Sequence, residues 1–140
     1  MIRFQRKYAA AVILYCAFIF VISAQSEPPK PKFGIHIPGL DKIAHAVLFG
    51  GLAAVVSVGM RKSNPGLRRE IQFYGPIAFA LLYGLSDEIH QVFVPLRTFE
   101  VMDLVADGLG ALAAQVVLCG VLWKEWPHSR TAASLSRHTS

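Results

Sequence analysis

Charge is scarce in this chain. Of its 140 residues, 16% are charged and 54% hydrophobic, whereas soluble domains carry about a quarter charged residues. A membrane protein is therefore the first class to consider, with one domain expected at this length. Cysteine is scarce too. Cys16 and Cys119 each lie inside an apolar run, with no CxxC pair and no histidine at zinc-finger spacing; buried thiols are the reading, and they say nothing about redox compartment. No HExxH segment and no nucleophile elbow occur, and "GLG" at 108–110 lacks the strand and turn of a nucleotide fingerprint. The net charge of +5 does not point to nucleic acid, because Lys and Arg flank apolar runs and do not gather on a polar face.

What the chain has is apolar sequence in runs near the length that spans a bilayer core, about 20 residues with roughly 17 to 25 tolerated. Four segments qualify, at 8–24, 43–60, 71–93 and 101–123. The expected fold class is all-α, an integral membrane bundle of about four transmembrane helices. The first run is the cleanest; the others carry ionisable residues near one end, which must face protein or the interface. "QSEPPKPKFGIHIPGLDK", with four prolines, reads as a loop, and "RKSNPGLRRE" as a short basic turn. Residues 1–123 form the expected domain and 124–140 a disordered tail.

Basic residues fall mostly on one side of these segments. Arg3, Arg6, Lys7, Arg61, Lys62, Arg68, Arg69, Lys124, Arg130 and Arg137 share it, so the positive-inside rule places both termini in the cytoplasm. Six acids, Glu27, Asp41, Asp87, Glu88, Glu100 and Asp103, lie toward the opposite side. The first segment also has a signal-peptide reading, ending in "AQS" at 24–26; its length favours a retained helix.

The outer ends of the last three segments each bring a polar pair at helical spacing: Asp41 with His45, Asp87 with Gln91, and Asp103 with Asp107. Arg97 sits in the loop "VPLRTFEV" between the latter two. Asp107 lies about 9 Å along its helix from Val101, so it needs a partner, for which Arg97 and His45 are the candidates. Glu88 and Gln91 are expected to point inward, with Asp87 at the rim. His90 is read as facing away, Glu100 as a solvated loop acid, and Asp41 alone as a helix-start residue beside Lys42. Small residues, Gly50 with Ala54 and Gly110 with Ala114, predict that the second and fourth helices are neighbours.

At these residues the sequence resembles the VanZ-like membrane proteins, whose pattern is roughly D-K-x-x-H, then D-E-x-x-Q-x-F-x-P-x-R, then D-x-x-x-N-x-x-G. "DKIAHAVLFGGLA" and "YGLSDEIHQVFVPLRTFEVMDLVADGLGALA" match it in order over about 41–114. The resemblance implicates Asp41, Lys42, His45, Asp87, Glu88, Gln91, Pro95, Arg97, Asp103 and Gly110. Asp107 stands where the family usually has Asn. The family's name implies an association with resistance to the glycopeptide teicoplanin and supplies no mechanism.

Two functional classes fit. The first is a membrane-embedded enzyme acting on a lipid or lipid-linked envelope precursor: His45 and Glu88 as acid and base, Arg97 clamping phosphate or carboxylate, and Asp103 or Asp41 orienting His45 or holding a divalent cation. Gln91, Asp87 and Asp107 would add ligand contacts. The second is a non-enzymatic binding module, docking an envelope ligand or a membrane partner. In a third reading the polar constellation is only a structural network. A proton pathway is disfavoured because the inner halves lack matching polar residues. Membrane lipids are the expected partners, and four short helices leave room for self-assembly.

Overall fold

Each apolar run becomes one helix in the computed structural model, which describes residues 3–25 and 39–122. The helices are α1 (Arg6–Ser23), α2 (Leu40–Ser63), α3 (Arg69–Gln91) and α4 (Val101–Leu122), and no described residue lies in a strand. Most of the expected proline-rich loop, the disordered tail, and Ser26 of the "AQS" motif lie outside the described residues. α2 starts earlier than expected: Gly39, at φ 79°, makes the left-handed turn into it, so Asp41 and Lys42 are already helical.

Three helices, α1, α2 and α4, are long and apolar enough to cross a membrane. α3 differs in composition, not in length: its 23 residues span about 35 Å, but both its ends are polar. The bundle is inverted relative to a soluble protein. Ile13, Leu14, Leu82 and Val116 are exposed, while Glu88, Gln91, Asp107 and Gln115 are buried. Such an exterior fits hydrocarbon surroundings, where polar groups must find partners inside the protein.

α2 and α4 form the most extensive contact and run parallel, in near-constant register. The pairs Lys42–Asp103, His45–Asp107, Ser57–Gln115 and Arg61–Cys119 follow one another down the seam. Glycine sets the spacing: a Cβ on Gly50 would lie 2.9 Å from the Gly110 carbonyl oxygen, and one on Gly110 would overlap the Ala46 carbonyl. The expected small-residue seam is therefore present, but its partners are Ala53 and Ala111, which meet Ala80 of α3, not Ala54 and Ala114. α3 returns antiparallel between them.

α1 packs chiefly on α2, antiparallel to it. At one end the Arg3 N–H donates to Asn64 Oδ1 and Asn64 Nδ2 donates to the Arg3 carbonyl. Further along, Ile19 joins Phe49, Leu52 and Val56 in the main apolar cluster, and the Tyr83 hydroxyl donates to the Cys16 carbonyl at 2.7 Å. The C-termini of α1 and α3 and the N-termini of α2 and α4 thus share one end, which is the polar one.

Candidate functional site

α3 supplies the floor of the polar end. Asp87, Glu88 and Gln91 lie on its inward face in the last turn, and Gln91 Nε2 donates to Asp87 Oδ2 at 3.0 Å. Asp87 is only 5% exposed, so it is buried beside Gln91 and not at the rim. Glu88 is fully buried, and its Oε2 accepts the backbone N–H of Glu100 at 2.8 Å. That bond ties α3 to the residue preceding α4 and fixes where α4 begins.

The connecting loop turns on Pro95 and Leu96. The Arg97 N–H donates to the Val94 carbonyl at 3.1 Å, closing a turn in which Leu96 holds φ 65°, a position that usually requires glycine or asparagine. The turn sends Arg97 back toward the bundle, where its guanidinium lines a cavity of about 130 Å³ with Ser23, His45, Asp87 and Gln91. Arg97 Nε is buried without a hydrogen-bond partner among the described residues, and so is Ser23 Oγ, which lines the same cavity.

α2 and α4 supply the remaining groups. The Lys42 ammonium donates to Asp41 at 2.8 Å, Glu100 at 2.9 Å and Asp103 at 2.8 Å. Glu100 is exposed, as expected of a loop acid, and is also a partner of Lys42. His45 lies one turn deeper, with Nδ1 3.0 Å from Asp107 Oδ1 and Nε2 3.7 Å from Asp103 Oδ2. Its ring stacks parallel to Phe49. Of the two candidate partners of Asp107 it is His45, not Arg97, that is present; the carboxylates beside the His45 ring are Asp107 and, at 3.7 Å, Asp103, while Asp41 pairs with Lys42. The other Asp107 oxygen is buried and packs where a Cβ on Gly84 would sit.

His90 stands apart from this cluster, stacked on Phe20 of α1 with ring centroids 4.5 Å apart; it braces α1. The expectation of apolar inner halves also fails. Ser57 donates to Gln115 at 2.9 Å, Gln115 donates to the Ala53 carbonyl, and Arg61 donates to Cys119 Sγ, all buried. The Gly50, Gly110, Ala53 and Ala111 layer separates these groups from His45 and Asp107.

Two sets of side chains have ligand atoms all within 4.8 Å of one another: His45, Glu88 and Asp103, and Asp41, Glu100 and Asp103. The Lys42 ammonium already contacts all three members of the second. Six carboxylates in all converge here on two permanent cations, Lys42 and Arg97, and one imidazole.

The three sequence blocks that carry the VanZ-like pattern therefore meet at one end of one bundle. A family model described as VanZ/LLP1 matches residues 3–123. The chain belongs to the VanZ/LLP1 family. The match takes in all four helices, including α1, which the sequence motifs alone do not reach. It is a membrane protein with apolar helices, as the family match and the exposed apolar surface agree. Among curated proteins and solved structures, none matches the chain.

Proposed function

We propose that this VanZ/LLP1 member is a multi-pass protein of the bacterial cytoplasmic membrane whose polar end binds the headgroup of an envelope lipid or lipid-linked precursor. The observation that carries the reading is the cavity at that end, which Arg97 and Ser23 both line and where Arg97 Nε and Ser23 Oγ are buried without a partner among the described residues. Buried polar groups are ordinarily hydrogen-bonded, so these two call for a ligand. The volume suits a fragment of a few heavy atoms, since a cavity of roughly 150 Å³ accommodates benzene. Arg97 offers a guanidinium for phosphate or carboxylate, while Asp87 and Gln91 offer acceptors for hydroxyl or amine. A headgroup with both kinds of polarity fits this mixture better than a simple anion, which the surrounding carboxylates would repel. Handling of a lipid-linked wall precursor is the route by which we connect the chain to glycopeptide susceptibility.

The experiment is binding of a polyprenyl diphosphate-linked amino sugar, whose headgroup carries both an anionic and a neutral polar part, to the purified protein in detergent, read as thermal stabilisation. Wild type is expected to be stabilised, and Arg97→Ala to bind at least about ten-fold more weakly, or about 1.4 kcal/mol. Equal binding by wild type and Arg97→Ala would remove the headgroup reading and leave the polar end as a structural network.

A further inference from the structure

We infer that the polar end holds one transition-metal dication between His45 Nε2, a Glu88 carboxylate oxygen and Asp103 Oδ2. The histidine geometry comes first. Nδ1 lies at 3.0 Å from Asp107 Oδ1; with that carboxylate ionised and the imidazole in its neutral, metal-binding form, the ring proton sits on Nδ1. The Nε2 lone pair then faces Asp103 Oδ2 at 3.7 Å, an acceptor facing an acceptor, too far apart for a hydrogen bond. Two ligands of one ion at about 2.0 to 2.2 Å each stand roughly 3 to 3.5 Å apart, so a small contraction turns this pair into a coordination edge. Asp107, His45 and the ion would form the carboxylate–histidine–metal relay that fixes ring orientation in metal sites.

Glu88 gives the independent observation. It is 0% exposed, one oxygen is spent on the Glu100 N–H, and the other, Oε1, has no hydrogen-bond partner among the described residues. A fully buried carboxylate with an unpaired oxygen is costly, and Glu88 also lies at the C-terminal turn of α3, where the helix dipole disfavours negative charge. One of the two Glu88 carboxylate oxygens lies within 4.8 Å of a ring nitrogen of His45 and of a carboxylate oxygen of Asp103. The neighbouring acidic set needs no ion because Lys42 occupies it, and Lys42 takes only Oδ1 of Asp103, leaving Oδ2 toward His45. One imidazole with two carboxylates suits Zn²⁺ or Mn²⁺ better than Mg²⁺. Three protein ligands leave a coordination position open; entry of a headgroup phosphate oxygen there is the one link that rests on the proposed function.

The test is metal content of the full chain in detergent, without lipid, after stripping with EDTA, reloading with Zn²⁺ or Co²⁺ and desalting. Wild type is expected to retain about one Zn²⁺ per chain and to give visible Co²⁺ bands distinct from the aquo ion. Glu88→Gln and Asp103→Asn are expected to lose at least about ten-fold in Zn²⁺ affinity, while Asp41→Asn, in the set served by Lys42, keeps it. Arg97→Ala keeps the metal even if it loses lipid, which separates this inference from the headgroup reading. If the ligand variants fail to fold, the wild-type Co²⁺ spectrum decides alone. No retained metal in wild type, an aquo-like spectrum, or full retention by folded Glu88→Gln and Asp103→Asn overturns the inference.

Discussion

Lys42 is the residue on which the polar end turns. Its ammonium spans α2, α4 and the loop before α4, holding three carboxylates that would otherwise repel one another. Lys42→Met should destabilise the protein by about 1 to 3 kcal/mol, because it leaves Asp103 buried without that counter-charge. Asp103→Asn in the same background should recover part of the loss, giving a coupling of about 1 kcal/mol or more in thermal unfolding of the detergent-solubilised chain. Strictly additive effects would show that the two groups do not act as a pair. Residues differed in how far the sequence disclosed them. Asp107 was legible because a carboxylate that deep must find a partner, and its i,i+4 link to Asp103 put both on one face. Lys42 was marked only by the family pattern and Glu100 not at all, since each looks like an ordinary interfacial charge until the helix start at Leu40 and the Glu88–Glu100 bond bring them together. Ser23 gave no signal at all; only the folded bundle sets it against Arg97.

At the scale of elements, the glycine seam decides how closely α2 and α4 approach. Gly110→Ala places a methyl against the Ala46 backbone carbonyl, which cannot swing aside as a side chain would. A loss of about 1 to 3 kcal/mol is expected, while Gly120→Ala, with open space around it, should be neutral or slightly stabilising. Comparable melting of the two variants would contradict the close approach. The helices and their pairing were readable because runs of bilayer length and small residues at four-residue spacing are local properties. The lower polar pairs were in the sequence too: Lys42, Ala46, Gly50, Ala53, Ser57 and Arg61 recur at three- and four-residue steps, as do Asp107, Ala111, Gln115 and Cys119. Looking for ionisable groups hid that stripe, since Ser57 and Gln115 carry no charge. The bounds of α2 moved because Gly39 supplies its turn, which hydropathy does not register.

For the whole molecule, the shared end of α2 and α4 requires the Gly66 turn and the Leu96 turn to lie on opposite faces of the membrane. In a background lacking Cys16 and Cys119, a membrane-impermeant maleimide should label Leu96→Cys from the outer side and Gly66→Cys only after the vesicles are opened, as the basic turn predicts. Labelling of both from one side would refute the spanning arrangement. The Glu88–Glu100 bond carries a further consequence, for how the chain is made. Glu88 is synthesised before the backbone N–H that donates to it, 12 residues later, and before Asp103 and all of α4. While α3 is the newest helix, its last turn therefore exposes Asp87, Glu88 and Gln91 to lipid or to the insertion machinery without their final surroundings. α3 cannot settle alone as α1 can; it has to wait beside α2 until α4 arrives, and biogenesis ends with the last helix closing over the acids of the one before it.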